Sequence, residues 1–347
     1  MKRLSTLLLI SLLLISILQI IPIRVANASS QYIIELTKVR EGIYRVNGKT
    51  YYDDFNDGVF NTTLWSVVTT YGGSYSEANG VFIASISSTQ WSAVGLASND
   101  PRSDNDVWTI IHDFYISWAT LTTLGGTVFF QTGWGNNPTT ASGEPDISVQ
   151  GYRNKLFLRR LSPDTVLATM NITYYIQNWY RIALTVNLTS RELIALLINL
   201  TDGKVYGYLR AYADTDIKPY TYLRLVPYTL QADNPFEVYY DNLMMIHGTY
   251  NITIVGDPDL SQVSKIELYD TTDKLYASVT LTGTEKQVEF YPANLTYPLD
   301  GYFKFYDKYG NLIGRAPSSG YVRIWAGDVF KFRMVKWLYR RPITITE

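Results

Sequence analysis

The chain has 347 residues, a formal net charge of −1 and no cysteine. Catalytic thiols, disulfides and cysteine-based metal sites are therefore excluded. Because 30 Lys and Arg residues nearly balance 31 Asp and Glu residues, a broad electrostatic attraction to nucleic acid or anionic lipid is not expected. The two histidines leave little for a histidine-rich metal site.

The first 28 residues have the pattern of a secretory signal. Lys2 and Arg3 precede an apolar run from Leu7 to Ile23, and Ala26-Asn27-Ala28 offers small residues for cleavage. Removal after Ala28 predicts a mature chain outside the cell or on its surface. Because the apolar run approaches the ~17 residues that span a bilayer, an uncleaved N-terminal anchor is the alternative and the only membrane contact expected.

Short alternating apolar runs bounded by Gly, Asn, Asp and Pro recur after the signal, which predicts an all-β fold. In the run 107–119, alternate side chains from Trp108 to Trp118 share one side, as in a strand with one face in a core. About ten runs in 51–248 predict a two-sheet sandwich. Six or seven more in 249–335 have the dimensions of a small immunoglobulin-like sandwich. Residues 29–50 predict a leading hairpin around Arg40-Glu41-Gly42 that pairs with one of the two domains.

Two segments resemble the opening and closing strands of concanavalin A-like lectin/glucanase jelly-roll domains. They are Tyr52-Asp-Asp-Phe-Asn-Asp-Gly58, followed by Asn61-Thr-Thr-Leu-Trp65, and Glu237-Val-Tyr-Tyr-Asp-Asn-Leu243. The resemblance covers about residues 51–247 and implies a two-sheet jelly roll whose first and last strands pair, with a convex back and a concave front. The family includes lectins, glycanases and adhesive modules, so the fold alone does not decide the function.

The last segment, 336–347, predicts a single strand. Trp337-Leu-Tyr-Arg-Arg-Pro-Ile-Thr-Ile345 resembles the first strand of an uncharacterised domain common in archaeal and bacterial surface proteins. The segment is interpreted as the start of a truncated third domain. The alternative is a strand donated to the sheet edge of a neighbouring subunit in a surface filament.

Catalysis finds little support in the sequence. The resemblance implies that a glycanase would carry Glu-x-Asp-x-x-Glu, whose carboxylates act as nucleophile and acid/base. The nearest string is Glu144-Pro-Asp146, which has Val149 in the third position. Pro145 also fits a central strand poorly, since proline cannot donate a ladder bond. A glycoside hydrolase with displaced carboxylates is the alternative, and His112 is interpreted as a core or sheet-face residue rather than a base.

A structural Ca²⁺ is the cofactor that the resemblance suggests. Asp54 and Asp57 open the jelly roll and Asp241 closes it, so their carboxylates could converge as hard oxygen ligands. The alternative is that Asp53, Asp54 and Asp57 are turn residues that accept hydrogen bonds from their own backbone.

Carbohydrate binding requires aromatic rings beside amides and carboxylates, because a pyranose has an apolar face and a polar rim. Trp134, Asn136 and Asn137 provide that mixture in one predicted loop. The alternate residues Asp146, Ser148, Gln150 and Tyr152 are predicted to share one polar face of a strand. An ordinary solvated sheet would show the same pattern.

The sequence thus predicts an exported, non-catalytic cell-surface protein that serves in glycan binding, adhesion or surface assembly. Its expected partners are carbohydrate or neighbouring surface proteins. Its 29 tyrosines suit a thermophilic archaeal surface protein. The predicted N-glycosylation sites of the mature chain are Asn61, Asn171, Asn187, Asn199, Asn251 and Asn294.

Overall fold

The computed structural model describes residues 32–102, 107–119, 127–135, 146–152, 154–161, 164–215, 217, 221–230, 234–291 and 296–336. All regular elements in these ranges are β-strands, which confirms the all-β fold class. No helix within them is long and apolar enough to cross a bilayer. The predicted signal 1–28, and the C-terminal segment apart from Lys336, lie outside the described residues.

The strands before residue 107 are β1 (Tyr32–Arg40), β2 (Arg45–Val46), β3 (Lys49–Thr50), β4 (Tyr52–Asp53), β5 (Trp65–Thr70), β6 (Ser74–Ala78), β7 (Val81–Ile86) and β8 (Ala93–Ser98). The next are β9 (Val107–Ala119), β10 (Thr127–Gly135), β11 (Ile147–Tyr152), β12 (Lys155–Leu161), β13 (Asp164–Asn171), β14 (Trp179–Asn187), β15 (Glu192–Asn199), β16 (Lys204–Tyr212), β17 (Tyr222–Leu225), β18 (Tyr228–Thr229) and β19 (Phe236–His247). The last are β20 (Ile252–Gly256), β21 (Lys265–Asp270), β22 (Leu275–Thr280), β23 (Gln287–Phe290), β24 (Leu299–Tyr306), β25 (Leu312–Ala316), β26 (Val322–Ile324) and β27 (Val329–Lys336).

Two eight-stranded sheets form the first sandwich. The front sheet has the order β13-β12-β11-β10-β17-β8-β18, with β5 beside β8. The back sheet has the order β16-β15-β14-β9-β19-β7-β6, with β4 beside β19. Tyr52 pairs with Met244 and Asp53 with Leu243. The first and last strands of the span 52–247 are therefore neighbours, which is the jelly-roll pairing that the resemblance implies.

The inner faces of the two sheets enclose one hydrophobic core. Alternate side chains of β9 from Trp108 to Ile116 enter it and are fully buried, as the alternation predicts. Trp118 departs from that prediction and is 44% exposed. The pairing of β9 with β19 bulges at Ser117, since Glu237 faces Trp118 while Val238 faces Ile116. One extra residue turns the following side chain to the other face of the sheet.

A second, smaller sandwich contains strands from both ends of the chain. Its four-stranded sheet has the order β1-β27-β20-β23, and its five-stranded sheet has the order β22-β21-β24-β25 with β26 beside β24. β1 pairs antiparallel with β27 from Tyr32↔Lys336 to Arg40↔Val329. Residues 32–40 are therefore an edge strand of the sheet that also contains β27, β20 and β23.

The predicted leading hairpin differs from what the structure has. The chain does not fold back at Arg40-Glu41-Gly42; Gly42 passes so close to the second sandwich that a Cβ there would lie 1.8 Å from the Ala326 carbonyl oxygen. The hairpin of this segment is β2–β3. Its turn residues are Asn47 and Gly48, with φ of 51° and 78°, as expected for the Asn-Gly pair of a tight hairpin.

The second sandwich packs against the outer face of the back sheet. Ile111, Met244 and Ile246 join its hydrophobic core from that face. Strands β9 and β19 are therefore buried on both sides, which explains the uninterrupted apolar run from Leu243 to Ile246. Among the described residues, the front sheet contributes nothing to this second core. The outer face of the front sheet thus lies on the side of the molecule away from the second sandwich.

Candidate functional site

Polar side chains line the outer face of the front sheet, which we call the front face. Register places Gln131 opposite Gln150, and Gly133 opposite Ser148. On the next strand, Phe157 lies opposite Gln150 and Arg159 lies opposite Ser148. The intervening residues of the same strands enter the core. The prediction that Ser148, Gln150 and Tyr152 share one polar face is therefore consistent with the strand register.

Several polar groups of the front face are buried without a hydrogen-bond partner. Gln131, Ser148 and Gln150 are at most 1% exposed. Both side-chain amide atoms of Gln131, the Ser148 hydroxyl and Gln150 Nε2 have no partner within the described ranges. Leaving such a group unsatisfied costs about 1–3 kcal/mol, and buried polar groups in folded proteins are nearly always bonded. This row therefore has hydrogen-bonding capacity that the described residues do not use.

A cavity of about 320 Å³ opens at one end of this row. It is lined by Gln150, Tyr152, Phe157, Arg159, Asp164 and Val166. The rings of Tyr152 and Phe157 meet edge to face, with centroids 5.0 Å apart. The cavity therefore combines aromatic surface, an amide and a carboxylate, which is the mixture predicted around Trp134.

Arg159 organises the polar side of the cavity. Its Nε and Nη2 donate to the two carboxylate oxygens of Asp164, at 2.7 and 2.5 Å. These hydrogen bonds hold the pKa of Asp164 below its ordinary value. Arg159 Nη1 donates to Gln150 Oε1 at 3.4 Å, which leaves Gln150 Nε2 as a donor. The cavity thus offers a fixed carboxylate acceptor, Asp164, while Gln150 Nε2 remains a buried donor without a described partner.

Trp134 does not lie on the front face. Register pairs it with Ile147, and its ring is fully buried in the core of the first sandwich. It contacts the Trp108 ring edge to face at 6.0 Å. A ring enclosed between two sheets cannot stack on a sugar, so Trp134 does not fit the role of a platform. Its predicted companions Asn136 and Asn137 lie outside the described residues.

Of the remaining predicted residues, Gln150 and Tyr152 line the cavity and Asp146 does not. Asp146 lies immediately before β11 and is partly buried. Phe157, Arg159 and Asp164 line the cavity and were missed. The signal for the first two was present in the sequence, since Phe157 and Arg159 alternate with Leu156 and Leu158 in one strand.

His112 is a core residue, as predicted. Its ring is fully buried, and Nε2 lies 2.7 Å from the Thr132 hydroxyl of the facing sheet. Burial lowers the pKa of His112 to about 3, because a charged imidazolium would lose its hydration. At neutral pH the side chain is an uncharged hydrogen-bonding group between the two sheets.

The pKa of His112 predicts acid sensitivity. Between about pH 6 and pH 4 the unfolded chain takes up a proton at this position and the folded chain does not, so stability falls as the pH falls. His112→Gln removes this term. The parent should lose up to about 1.4 kcal/mol per pH unit relative to His112→Gln over that window. Guanidinium unfolding of both proteins at pH 7, 6, 5 and 4 measures the difference, and parallel pH profiles would contradict the assignment.

The three aspartates predicted to bind calcium accept hydrogen bonds from nearby backbone amides. Asp54 Oδ1 accepts from Asn56 N at 3.4 Å, and Asp57 Oδ1 accepts from Val59 N at 3.1 Å. Asp241 Oδ1 accepts from Asn242 N at 2.6 Å. In the part of the chain that the structure describes, no group of three or more His, Cys, Asp or Glu side chains could hold a metal ion. The arrangement matches the turn-residue alternative and does not form a common calcium site.

Asp241 is nonetheless electrostatically unusual. Burial, and to a lesser extent the nearby carboxylates of Asp113 and Asp54, raise its pKa to about 7. Asp54 and Asp241 therefore lie in one acidic region. Asp57 instead lies near Glu77, whose pKa burial and the Asp57 side chain raise to about 7.

The predicted glycosylation sites differ in accessibility. Asn171 is exposed at the end of β13. Asn61, Asn187 and Asn251 are partly exposed. Asn199 is only 3% exposed and its Oδ1 accepts from Thr201 N, so a glycan could not be attached there without local opening. Asn294 lies outside the described residues.

No known family model matches the chain. No curated protein matches it either. Among solved structures, it is similar to the Emp47p carbohydrate recognition domain, with a TM-score of 0.42 and 13% identity over 57% of this chain and 96% of that one. It is similar to winged bean acidic lectin complexed with methyl-α-D-galactose, with a TM-score of 0.41 and 11% identity over 62% and 99%. It is also similar to the VIP36 exoplasmic/lumenal domain in its Ca²⁺/Man3GlcNAc-bound form, with a TM-score of 0.40 and 12% identity over 59% and 91%.

Proposed function

We propose that the protein binds carbohydrate at the cavity of the front face. The observation that supports this most is the placement of the Phe157 and Tyr152 rings beside the Gln150 amide and the Asp164 carboxylate around one opening. A pyranose can lay its apolar face on an aromatic ring while its hydroxyls bond to amide and carboxylate groups. Arg159 fixes the two polar groups by hydrogen bonds, so little order is lost on binding.

The cavity favours binding over hydrolysis. Glycoside hydrolysis generally uses two carboxylates across the scissile bond. Asp164 is the single carboxylate among the described residues that line the cavity, and Arg159 lowers its pKa. A general acid requires the opposite shift. The site therefore suits a ligand that is held and not cleaved.

The N-terminal pattern supports a location outside the cell. An exported binding protein without cysteine would have to depend on its two packed cores for stability. In this proposal the protein acts at the cell surface, where glycans of the same or neighbouring cells are its ligands.

The proposal is tested with the mature chain on a glycan array, followed by calorimetric titration of the best ligand. Loss of one ring contact costs about 0.5–1.5 kcal/mol. The Tyr152→Ala/Phe157→Ala double variant should therefore bind at least about fivefold more weakly. Tyr175→Ala is the matched control, since Tyr175 is 55% exposed and does not line the cavity. The proposal is wrong if the parent binds no glycan on the array, or if the double variant and the control bind the ligand with equal affinity.

A further inference from the structure

The second sandwich carries an ordered array of tyrosines and cations on its outer surface. In the five-stranded sheet, Lys265 pairs with Tyr306, Glu267 with Lys304, and Tyr269 with Tyr302. The intervening residues, such as Ile266 and Phe303, are fully buried in the core. Aromatic and charged side chains therefore alternate along β21 and β24 on the face turned away from the core.

Two of the cations lie over tyrosine rings. Lys304 Nζ is 4.3 Å from the Tyr269 ring centroid. Arg315 Cζ is 4.0 Å from the Tyr302 centroid and 5.5 Å from that of Tyr321. The Tyr269 and Tyr302 rings stack, with centroids 5.4 Å apart. Cation–ring contacts of this kind fix the positions of long side chains that would otherwise be mobile in water. We call these five residues the cation–tyrosine face.

The neighbouring carboxylates are engaged by other groups. Glu267 binds Lys265 Nζ at 2.9 Å and the Tyr269 hydroxyl at 2.7 Å. Asp273 accepts from the Tyr302 hydroxyl. Asp300 forms a bidentate pair with Arg323.

The two cations of the face have no such partner. Lys304 and Arg315 have no carboxylate partner in the described ranges, and Arg315 Nη2 donates instead to the Gly320 carbonyl at 2.7 Å. Glu267 is the cross-strand neighbour of Lys304, but its carboxylate is bonded to Lys265 and Tyr269, so neither cation forms a direct ion pair with a described acidic side chain.

The two cations oppose each other directly across the sheet. Register pairs Lys304 with Arg315. Like charges at such a pair destabilise a sheet, and the carboxylate on the other side of Lys304, Glu267, is bonded to Lys265 and Tyr269. An anionic ligand that contacts both cations would attract each of them and offset their mutual repulsion. Carboxylate, sulfate and phosphate groups all accept hydrogen bonds from both guanidinium and ammonium groups.

We propose that the cation–tyrosine face binds the anionic groups of an acidic polysaccharide. Lys304 and Arg315 neutralise a carboxylate or sulfate group. The half-exposed ring of Tyr321, with 51% of its surface accessible, contacts an adjoining sugar ring. An extended polymer suits this site because the residues lie along a sheet surface, where consecutive charged units of one chain can be bound. The site is independent of the front-face cavity, which belongs to the other sandwich.

The test uses the mature chain and three polymers: polygalacturonate, dextran sulfate and neutral dextran. The parent should bind at least one acidic polymer, with an affinity that falls as salt is raised, and should not bind neutral dextran through this face. Lys304→Gln/Arg315→Gln should weaken binding of the acidic polymer at least tenfold. Each single variant should weaken binding of the acidic polymer about threefold or more. The single variants therefore test the site even if the double variant is unstable.

Matched variants separate this site from general charge and from the front face. Lys308→Gln/Arg210→Gln removes the same net charge from exposed positions outside the cation–tyrosine face and should bind like the parent. Phe157→Ala should also bind the acidic polymer like the parent. The proposal is overturned if neither acidic polymer binds, or if Lys304→Gln/Arg315→Gln binds as tightly as the charge-matched control. Preference for the carboxylated or the sulfated polymer identifies the anion.

Discussion

Arg181→Met is expected to destabilise the folded protein by about 3–5 kcal/mol, the usual cost of leaving one member of a buried ion pair alone. Arg181 is 1% exposed and Asp113 3%. Arg181 Nε and Nη2 donate to the two Asp113 carboxylate oxygens at 2.6 and 2.7 Å. Asn242 Nδ2 also donates to Asp113, at 2.9 Å. Without Arg181, the Asp113 carboxylate would stay buried with an amide as its remaining described side-chain donor.

The Asp113–Arg181 ion pair lies where the two sandwiches meet. Asp113 and Arg181 lie on the outer face of the back sheet, beneath the second sandwich. The Tyr297 ring of that sandwich lies 5.8 Å from Arg181 Cζ. Burial alone would lower the pKa of Arg181, but the Asp113 carboxylate and the Tyr250 hydroxyl raise it above its usual value. The charged pair therefore links the two sandwiches as well as two strands of one sheet.

Guanidinium unfolding of the parent, Arg181→Met and Arg210→Met measures this effect. Arg210 pairs with Glu192, but its side chain is 54% exposed, so its replacement should cost little stability and far less than that of Arg181. Asp113→Leu/Arg181→Met should recover part of the stability lost in the single variant, since no unpaired charge remains. Equal losses for the two arginine variants would refute the view that burial decides the cost.

The sequence predicts local features well and long-range packing poorly. Alternation along β9 identifies the core side chains from Trp108 to Ile116 because a strand has a period of two. The same alternation predicts that the Asp113 side chain points away from the core. The apolar run from Leu243 to Ile246 indicates a strand buried on both faces, but it does not show that the second sandwich is what covers Asp113. Likewise, the sequence does not predict that β1 pairs with β27, whose residues are almost 300 positions away.

The candidate site shows a similar division. The alternation of Gln150 and Tyr152 predicts a shared face, and the register agrees with it. The sequence predicts that Trp134 lies in a loop, Thr132-Gly-Trp-Gly-Asn-Asn137. In the structure β10 continues to Gly135, and Gly133 allows close contact with β11, since a Cβ there would lie 1.9 Å from the Ile147 carbonyl oxygen. Glycine next to a tryptophan thus marked a tight strand pairing and not a ligand loop.

Trp134→Ala distinguishes the two roles directly. If Trp134 is a core residue, the variant should lose about 3–5 kcal/mol of stability, because removing the ring leaves a cavity between the sheets. The ring packs against Trp108 at 6.0 Å and under Arg102, whose Cζ lies 4.8 Å from its centroid. A ligand platform on the surface would behave in the opposite way, with stability preserved and affinity lost.

Phe157→Ala is the matched comparison, because Phe157 is an aromatic residue of the same sheet that is only partly buried. Its replacement should cost distinctly less stability than that of Trp134, while it weakens carbohydrate binding. Thermal and guanidinium unfolding of both variants, together with titration of the array ligand, gives the comparison. A stable Trp134→Ala protein that fails to bind glycan would place the binding surface at Trp134 and remove it from the cavity. An unstable Trp134→Ala beside a stable, non-binding Phe157→Ala would assign packing to the inner face of the front sheet and recognition to its outer face.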